Sequence, residues 1–401
     1  MTRPILFWSI VITVLVIILV VVITLTLVLT KKKNDDEGTP APNPIDSSVS
    51  LQALLEAKTS GPLRIMVIGD STVQGFGPGS TDYKVTSWPS QMATKASTLY
   101  SGVFNLNNCV GALFGNLEHN DSRVNYTGWT PDGNGKPGFF GLGGACYTTT
   151  SSSTFTFQPS SSYNVVEVYS PTRSIQLNVS VNGTIYPLTT PDTTRSNTAM
   201  NVYMINLTSA TSGLISIQSS DPTKKALLGG IVAYAISDLA SVINCGVGGS
   251  STNDWIDAYN PTNLKATLSC YKPDLVIQNL CINNYWHAVD YYNSGSGTPA
   301  DVYLTQLQKL DDIYAALNIP VLYYTPNVCG TSVAPLSTQT SYVNALKGMC
   351  QLRGRSIVDI FTLSVSTDNM LSNGWQDTSD ACHPTPAGYT WIADTLLSAI
   401  Q

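Results

Sequence analysis

The chain changes texture twice along its 401 residues, and that alternation limits the architectures open to it. Residues 63–68 (Leu-Arg-Ile-Met-Val-Ile) form a compact, mostly apolar run of the kind found in a strand buried on both faces of a parallel sheet. From about 103 to 221, short β-type runs alternate with polar turns, at 155–158, 165–169, 175–181, 202–207 and 214–217, and no helical period is sustained. Asn182-Gly183, between two such runs, predicts a hairpin with a type I′ turn. From Ser241 onward, strand-like runs at 242–244, 274–280, 319–324 and 356–360 alternate with helical patterns. Leu304, Leu307, Leu310, Ile313 and Leu317 share one face of a helix over 301–317, and 341–352 and 388–400 read as further helices. Strands alternating with helices imply a parallel sheet covered on both faces. The β-rich stretch between them is then an antiparallel β-sandwich inserted into that sheet's domain.

Residues 4–30 carry no charge and are dominated by Val, Ile and Leu. About 27 residues at ~1.5 Å each exceed the roughly 30 Å hydrocarbon core, so this segment is expected to be a single transmembrane helix. Lys31, Lys32 and Lys33 follow it, then a Pro/Ser/Asp-rich stretch over 38–50 that reads as extended linker, and a short helix over 51–58. The expected organisation is a membrane anchor at 1–33, a linker at 34–61, a discontinuous α/β domain at 62–102 and 236–401, and a β-rich insert at 103–235.

Orientation is set by opposing signals. The three lysines against Arg3 favour a cytoplasmic body. The eight cysteines (109, 146, 245, 270, 281, 329, 350 and 382) have no CxxC metal spacing and favour an oxidising exterior, and an extracellular or lumenal body is the expectation. The sequons at Asn120, Asn125, Asn178, Asn182 and Asn206 add little, because Ser, Thr and Asn are so abundant that the pattern arises by chance. Charged residues make up 11% and the formal net charge is -6; with no basic patch beyond Lys31–Lys33, a nucleic-acid partner is excluded.

Four blocks carry candidate chemistry. Gly69-Asp70-Ser71 ends the first core strand, at the rim where open α/β sheets collect their ligands. Asp380-Ala381-Cys382-His383-Pro384 precedes the final helix and places an Asp three residues before a His, so one turn can hold a base and the carboxylate that fixes its tautomer. The other histidines are His119 and His287. Asn244-Cys245-Gly246-Val247-Gly248-Gly249-Ser250 follows the second core strand; its glycines allow close backbone approach, so an N–H can meet a developing oxyanion. Phosphate cradling is the rival reading, but no P-loop lysine follows and the glycine spacing is not that of a dinucleotide site. Cys281-Ile282-Asn283-Asn284 ends another strand, where an amide can donate a second oxyanion bond.

In this order the four blocks resemble those of the SGNH hydrolases, the GDSL esterase/lipase superfamily, over roughly residues 62–100 and 236–401. The resemblance implies a three-layer α/β/α, flavodoxin-like domain and a serine esterase. It makes Ser71 the nucleophile, His383 the base and Asp380 its orienter, with an oxyanion hole from the Ser71 and Gly249 N–H groups and the Asn283 amide. No cofactor and no metal are implied. Two departures stand out: Cys281 replaces the Gly and Asn284 the Asp of the third block, and a β-carbon at 281 threatens the placement of Asn283.

The aromatic and polar residues around Trp129 and Tyr147, and a β-sandwich inserted between the first two blocks, resemble arrangements in carbohydrate esterases of that superfamily, and the resemblance implies an O-acylated carbohydrate as substrate. A lipid ester or thioester, an acyltransferase with the same triad, and a non-catalytic glycan-binding surface protein are the alternatives. With an exterior body, Cys329 and Cys382 face the same rim and are expected to pair, with Cys109–Cys146 pairing in the insert.

Overall fold

Leu63–Gly69 has no polar face because the sheet it centres is covered on both sides. Leu63, Ile65 and Val67 pack with the helices Leu51–Ala57, Trp88–Leu99 and Pro386–Ile400, while Met66 and Ile68 pack with Pro261–Tyr271, Ala300–Ala316 and Leu336–Arg353. This computed structural model describes residues 45–46, 48–80, 82–107, 121–131, 142, 147–172, 174, 176–221, 223–256, 261–286 and 299–401. The expected membrane span, His119, His287, Cys109 and Cys146 lie outside them. Among the described residues no helix is long and apolar enough to cross a membrane.

The seven strands run Ile45–Asp46, Ser356–Val358, Val321–Tyr324, Leu275–Asn279, Leu63–Gly69, Ala240–Gly246, Phe104–Asn107. All pairings are parallel except that of Ile45–Asp46 with Ser356–Val358. Without the two edge strands the order is 5-4-3-1-2 in chain sequence, the flavodoxin-like arrangement. Its switch point, where connections depart in opposite directions and ligands collect, lies between Leu63–Gly69 and Leu275–Asn279.

Two expected boundaries move. Phe104–Asn107, assigned to the insert, is the edge strand beside Ala240–Gly246. Its alternating Asn residues obscured this in the sequence, but both amides are bonded inside, Asn105 to the Ala233 carbonyl and Asn107 to Ser241 Oγ. The linker expected over 34–61 is too long, because Ile45–Asp46 joins the sheet, Leu51–Ala57 is a helix and Leu51 is wholly buried. From Pro44 to Gln401 the chain is one compact unit. The helix expected from 341 starts at Leu336, since its first turn is polar but carries Gln339, a buried side chain bonded to the loop before it.

In the β-rich segment a five-stranded antiparallel sheet, Thr184–Pro187, Leu177–Val181, Ile215–Ser219, Thr154–Phe157 and Val124–Asn125, shares one apolar cluster with a three-stranded sheet, Met200–Thr211, Tyr163–Pro171 and Gly230–Tyr234. Asn182 and Gly183 both have positive φ, 50° and 79°, as a type I′ turn between Val181 and Thr184 requires. The other face of the three-stranded sheet (Val165, Tyr169, Val202, Val232 and Tyr234) packs with Ile243, Cys245, Leu268 and Tyr271 of the α/β layers.

That junction holds a buried carboxylate. Glu167 receives two hydrogen bonds from Arg64, at 2.5 and 3.0 Å, and two from Arg195, at 2.6 and 2.9 Å; the Tyr169 and Tyr234 hydroxyls donate the rest. Burial pushes the Glu167 carboxyl up, but the Arg64 and Arg195 charges and hydrogen bonds outweigh it and hold it below the usual range. A depressed folded-state value stabilises the protein above the unfolded value of about 4.3 and ceases to do so as pH falls through the folded one. Glu167→Ala strands two buried guanidinium groups and is expected to cost about 3–5 kcal/mol in urea unfolding at pH 7. The gap between wild type and variant narrows below about pH 4.

Candidate active site

The sheet register fixes where the site forms. Gly69 stands level with Gly246 on one side and Asn279 on the other, so the loops after three strands open at one height. Asp70 caps the four-residue helix Ser71–Gln74: its Oδ1 accepts the Thr72 N–H at 2.9 Å and the Thr72 hydroxyl at 2.8 Å. Its carboxyl is fully buried, and that desolvation pushes its pKa up against the pull of the Thr72 donors. Ser71 thereby sits at the helix N-terminus, directly beyond the central strand.

His383 comes from the other end of the chain. It lies on Asp380–Pro384, which pairs with Gln376–Asp377 in a small hairpin before the last helix. Ser71 Oγ lies 2.8 Å from His383 Nε2, and His383 Nδ1 lies 2.8 Å from Asp380 Oδ2. The other Asp380 oxygen accepts the Cys382 and His383 backbone N–H groups, both at 2.9 Å, so one carboxylate shapes the loop and aims the ring. Partial burial raises the Asp380 pKa, but the His383 hydrogen bond and charge, with those two N–H groups, bring it down to about 2.

The hairpin is tied from behind. Cys382 forms a disulfide with Cys329; the Gly330 N–H donates to the Ala381 carbonyl at 2.6 Å and the Asn327 amide to the Cys382 carbonyl at 2.9 Å. The expected pairing of these two cysteines is present, and Cys270 and Cys281 are buried thiols, both pushed up by desolvation.

Gly249 has φ +76° in the turn closed by the Ser250 N–H to the Val247 carbonyl, a position that favours glycine. The Val247 N–H and Ser250 hydroxyl both donate to the Gly69 carbonyl, at 2.9 and 3.2 Å, clamping this turn to the strand that leads into Ser71. Asn283 is almost buried and spends one amide hydrogen on the Ser250 carbonyl at 3.0 Å, which orients the side chain and leaves its second N–H. Cys281 has φ −152°, so its β-carbon meets no left-handed requirement. Asn284 accepts the Thr252 N–H and donates to the Thr252 hydroxyl, joining the turn Ile282–Tyr285 to the helix Thr252–Ile256 that follows the Gly249 turn.

Trp129 is only 2% exposed, donates its indole N–H to the Ser153 carbonyl, and belongs to the β-sheet core, which removes it as a sugar-contacting residue; the Tyr147 side chain lies outside the described residues. Two residues near the site escaped the sequence reading. Phe76, 41% exposed, sets its ring edge-on to His383 at 4.7 Å, with its N–H on the Ser71 carbonyl. Lys84 lies buried under the Gly249 loop. Neither has a local motif, because each is placed by long-range packing.

A flavodoxin-like sheet thus carries a serine after its first strand, hydrogen-bonded to a His–Asp pair before its last helix, the arrangement that the resemblance to SGNH hydrolases implies. Residues 209–391 match the model of the GDSL-like Lipase/Acylhydrolase family. The match starts within the β-rich segment; it takes in Gly249, Asn283, Asp380 and His383, and Ser71 lies ahead of it. The solved structure of a peptidoglycan O-acetylesterase superposes with a TM-score of 0.62 at 17% identity, covering 89% of this chain and 97% of that one, so the two share a fold. An acetyl xylan esterase (TM-score 0.35, 22% identity, 41% of this chain and 84% of that one) and a catalytic mutant of an acetylxylan esterase from Geobacillus stearothermophilus (0.33, 20%, 40% and 73%) overlap too little to support an inference. No curated protein matches the chain in sequence.

The Cys329–Cys382 bridge closes a loop over a sequence separation of 53. Loop-closure entropy makes such a link worth about 4 kcal/mol. The Cys329→Ser/Cys382→Ser double variant is expected to lose stability on that scale in urea unfolding and to turn over esters more slowly, since the His383 hairpin loses its covalent tie.

Proposed function

We propose that the protein is a carbohydrate O-acetylesterase that works through Ser71, His383 and Asp380. The observation that carries the reading is the continuous Ser71–His383–Asp380 relay, with both links at 2.8 Å. His383 takes the Ser71 hydroxyl proton as Oγ attacks the ester carbonyl, and ionised Asp380 stabilises the imidazolium that results. The tetrahedral oxyanion is received by the Ser71 and Gly249 N–H groups and the remaining Asn283 amide hydrogen. His383 then protonates the leaving sugar oxygen, and water, activated by the same ring, releases acetate from Ser71.

Support for a sugar ester comes from the fold shared with a peptidoglycan O-acetylesterase, which extends over most of both chains, including the β-rich segment read as an inserted sandwich. Phe76 beside His383 supports it too, since the group protonated by His383 is the alcohol, and an exposed ring there meets a sugar face. The apolar segment at 4–30 is read as a membrane anchor that leaves the enzyme on the exterior side, and the Cys329–Cys382 disulfide supports that compartment.

The test is the full chain assayed on p-nitrophenyl acetate, longer-chain esters, acetylated xylan and O-acetylated peptidoglycan. Ser71→Ala and His383→Ala are each expected to remove several orders of magnitude of kcat while leaving thermal unfolding unchanged. Equal turnover by wild type and Ser71→Ala would sink the mechanism, and a preference for long acyl chains would sink the substrate. Asn283→Ala is expected to cut kcat about a hundred- to a thousandfold with little change in KM.

A further inference from the structure

Lys84 is 4% exposed, and among the described residues its ammonium touches only neutral oxygens: the Asn244 carbonyl at 2.6 Å, Asn244 Oδ1 at 3.2 Å and the Gly246 carbonyl at 3.3 Å. Those three acceptors match its three protons. Among the described residues no carboxylate stands within ion-pair distance of it. Buried charges are ordinarily paired, because taking an ammonium out of water is costly. A cation kept here against that cost calls for a reason beyond packing.

Its surroundings supply one. Asn244 and Gly246 end the strand that leads into Gly249, and pairing with the edge strand Phe104–Asn107 has already stopped at Ile243. Lys84 holds the two carbonyls at that end. The Asn244 side chain extends the knot: its Oδ1 also accepts the Gly246 N–H at 2.9 Å, and its amide donates to the Val73 carbonyl at 2.8 Å and to Ser87 Oγ at 3.0 Å. Val73 lies on the helix begun by Ser71, and a β-carbon on Gly246 would fall 2.1 Å from the Gln74 nitrogen. The knot therefore joins the two backbone segments that the proposed mechanism uses, with a positive charge on its inner side.

We propose that Lys84 is a positioning residue whose buried positive charge, acting through the Asn244–Gly246 strand end, stabilises the oxyanion received at Gly249 and Asn283. The inference rests on the oxyanion assignment made under the proposed function. A fixed charge shielded from water acts on a negative transition state more than on a neutral ester, so its loss appears in kcat and not in KM.

The test compares Lys84→Gln, which keeps hydrogen-bond donors without charge, with Lys84→Arg, which keeps the charge, in the full chain on p-nitrophenyl acetate. Asn283→Ala is measured alongside, and thermal unfolding shows that each variant is folded at the assay temperature. Lys84→Gln is expected to lower kcat about ten- to a hundredfold with KM within about threefold, and Lys84→Arg to stay within about fivefold of wild type. A Lys84→Gln variant within about threefold of wild type in kcat overturns the proposal and leaves the lysine a strand tether. So does failure of both Lys84→Gln and Lys84→Met to fold, which would make the cation a requirement of the fold. If Asn283→Ala is also without effect, the oxyanion assignment itself falls; if Asn283→Ala is slow and Lys84→Gln is not, only the role of Lys84 does.

Discussion

The site depends on one row of parallel pairing: Gly69 between Gly246 and Asn279. Parallel strands share a direction, so equal register at their ends brings three outgoing loops to the same edge. Ser71 follows two residues after that row, Gly249 three and Asn283 four. A slip of one residue would turn Met66 and Ile68 from one helical layer to the other, and both layers are apolar. Volume alone would then have to hold the register. Directional bonds assist it, above all the Val247 N–H and Ser250 hydroxyl on the Gly69 carbonyl, which lock the row from its open end.

Much of this was legible in the residues. The apolar run at 63–68 and the alternating pattern after 241 disclosed the sheet because its strands are buried on both faces and therefore read as continuous apolar segments. Asn182-Gly183 disclosed its hairpin because few other pairs accept two positive φ values in succession. The Ser71, Gly249, Asn283 and Asp380/His383 blocks were visible because each is local, a strand end and the few residues beyond it.

What escaped notice is non-local. Phe104–Asn107 has the mixed polarity of an insert strand, and only the partners of Asn105 and Asn107 disclose that it closes the parallel sheet. Trp129 entered the substrate expectation because sequence does not distinguish an aromatic that faces outward from one that fills the core between β-sheets. The concern over Cys281 arose from a glycine in the related pattern, yet φ there is negative, so the position makes no left-handed demand that only glycine could meet. Lys84 is the clearest case: its partners lie 160 and 162 positions away, and nothing around it in the chain marks it as buried.

Ser71 and His383 are 312 residues apart in the chain, yet their side chains meet at 2.8 Å. During synthesis, the strand carrying the serine leaves the ribosome long before the hairpin carrying the histidine, and the whole β-rich segment is made in between. Domains fold largely as they emerge, at roughly 5–20 residues per second. The nascent chain consequently spends on the order of tens of seconds with Ser71 made and His383 not yet made. Their contact forms as a single late event, when the last hairpin docks beside the first strand.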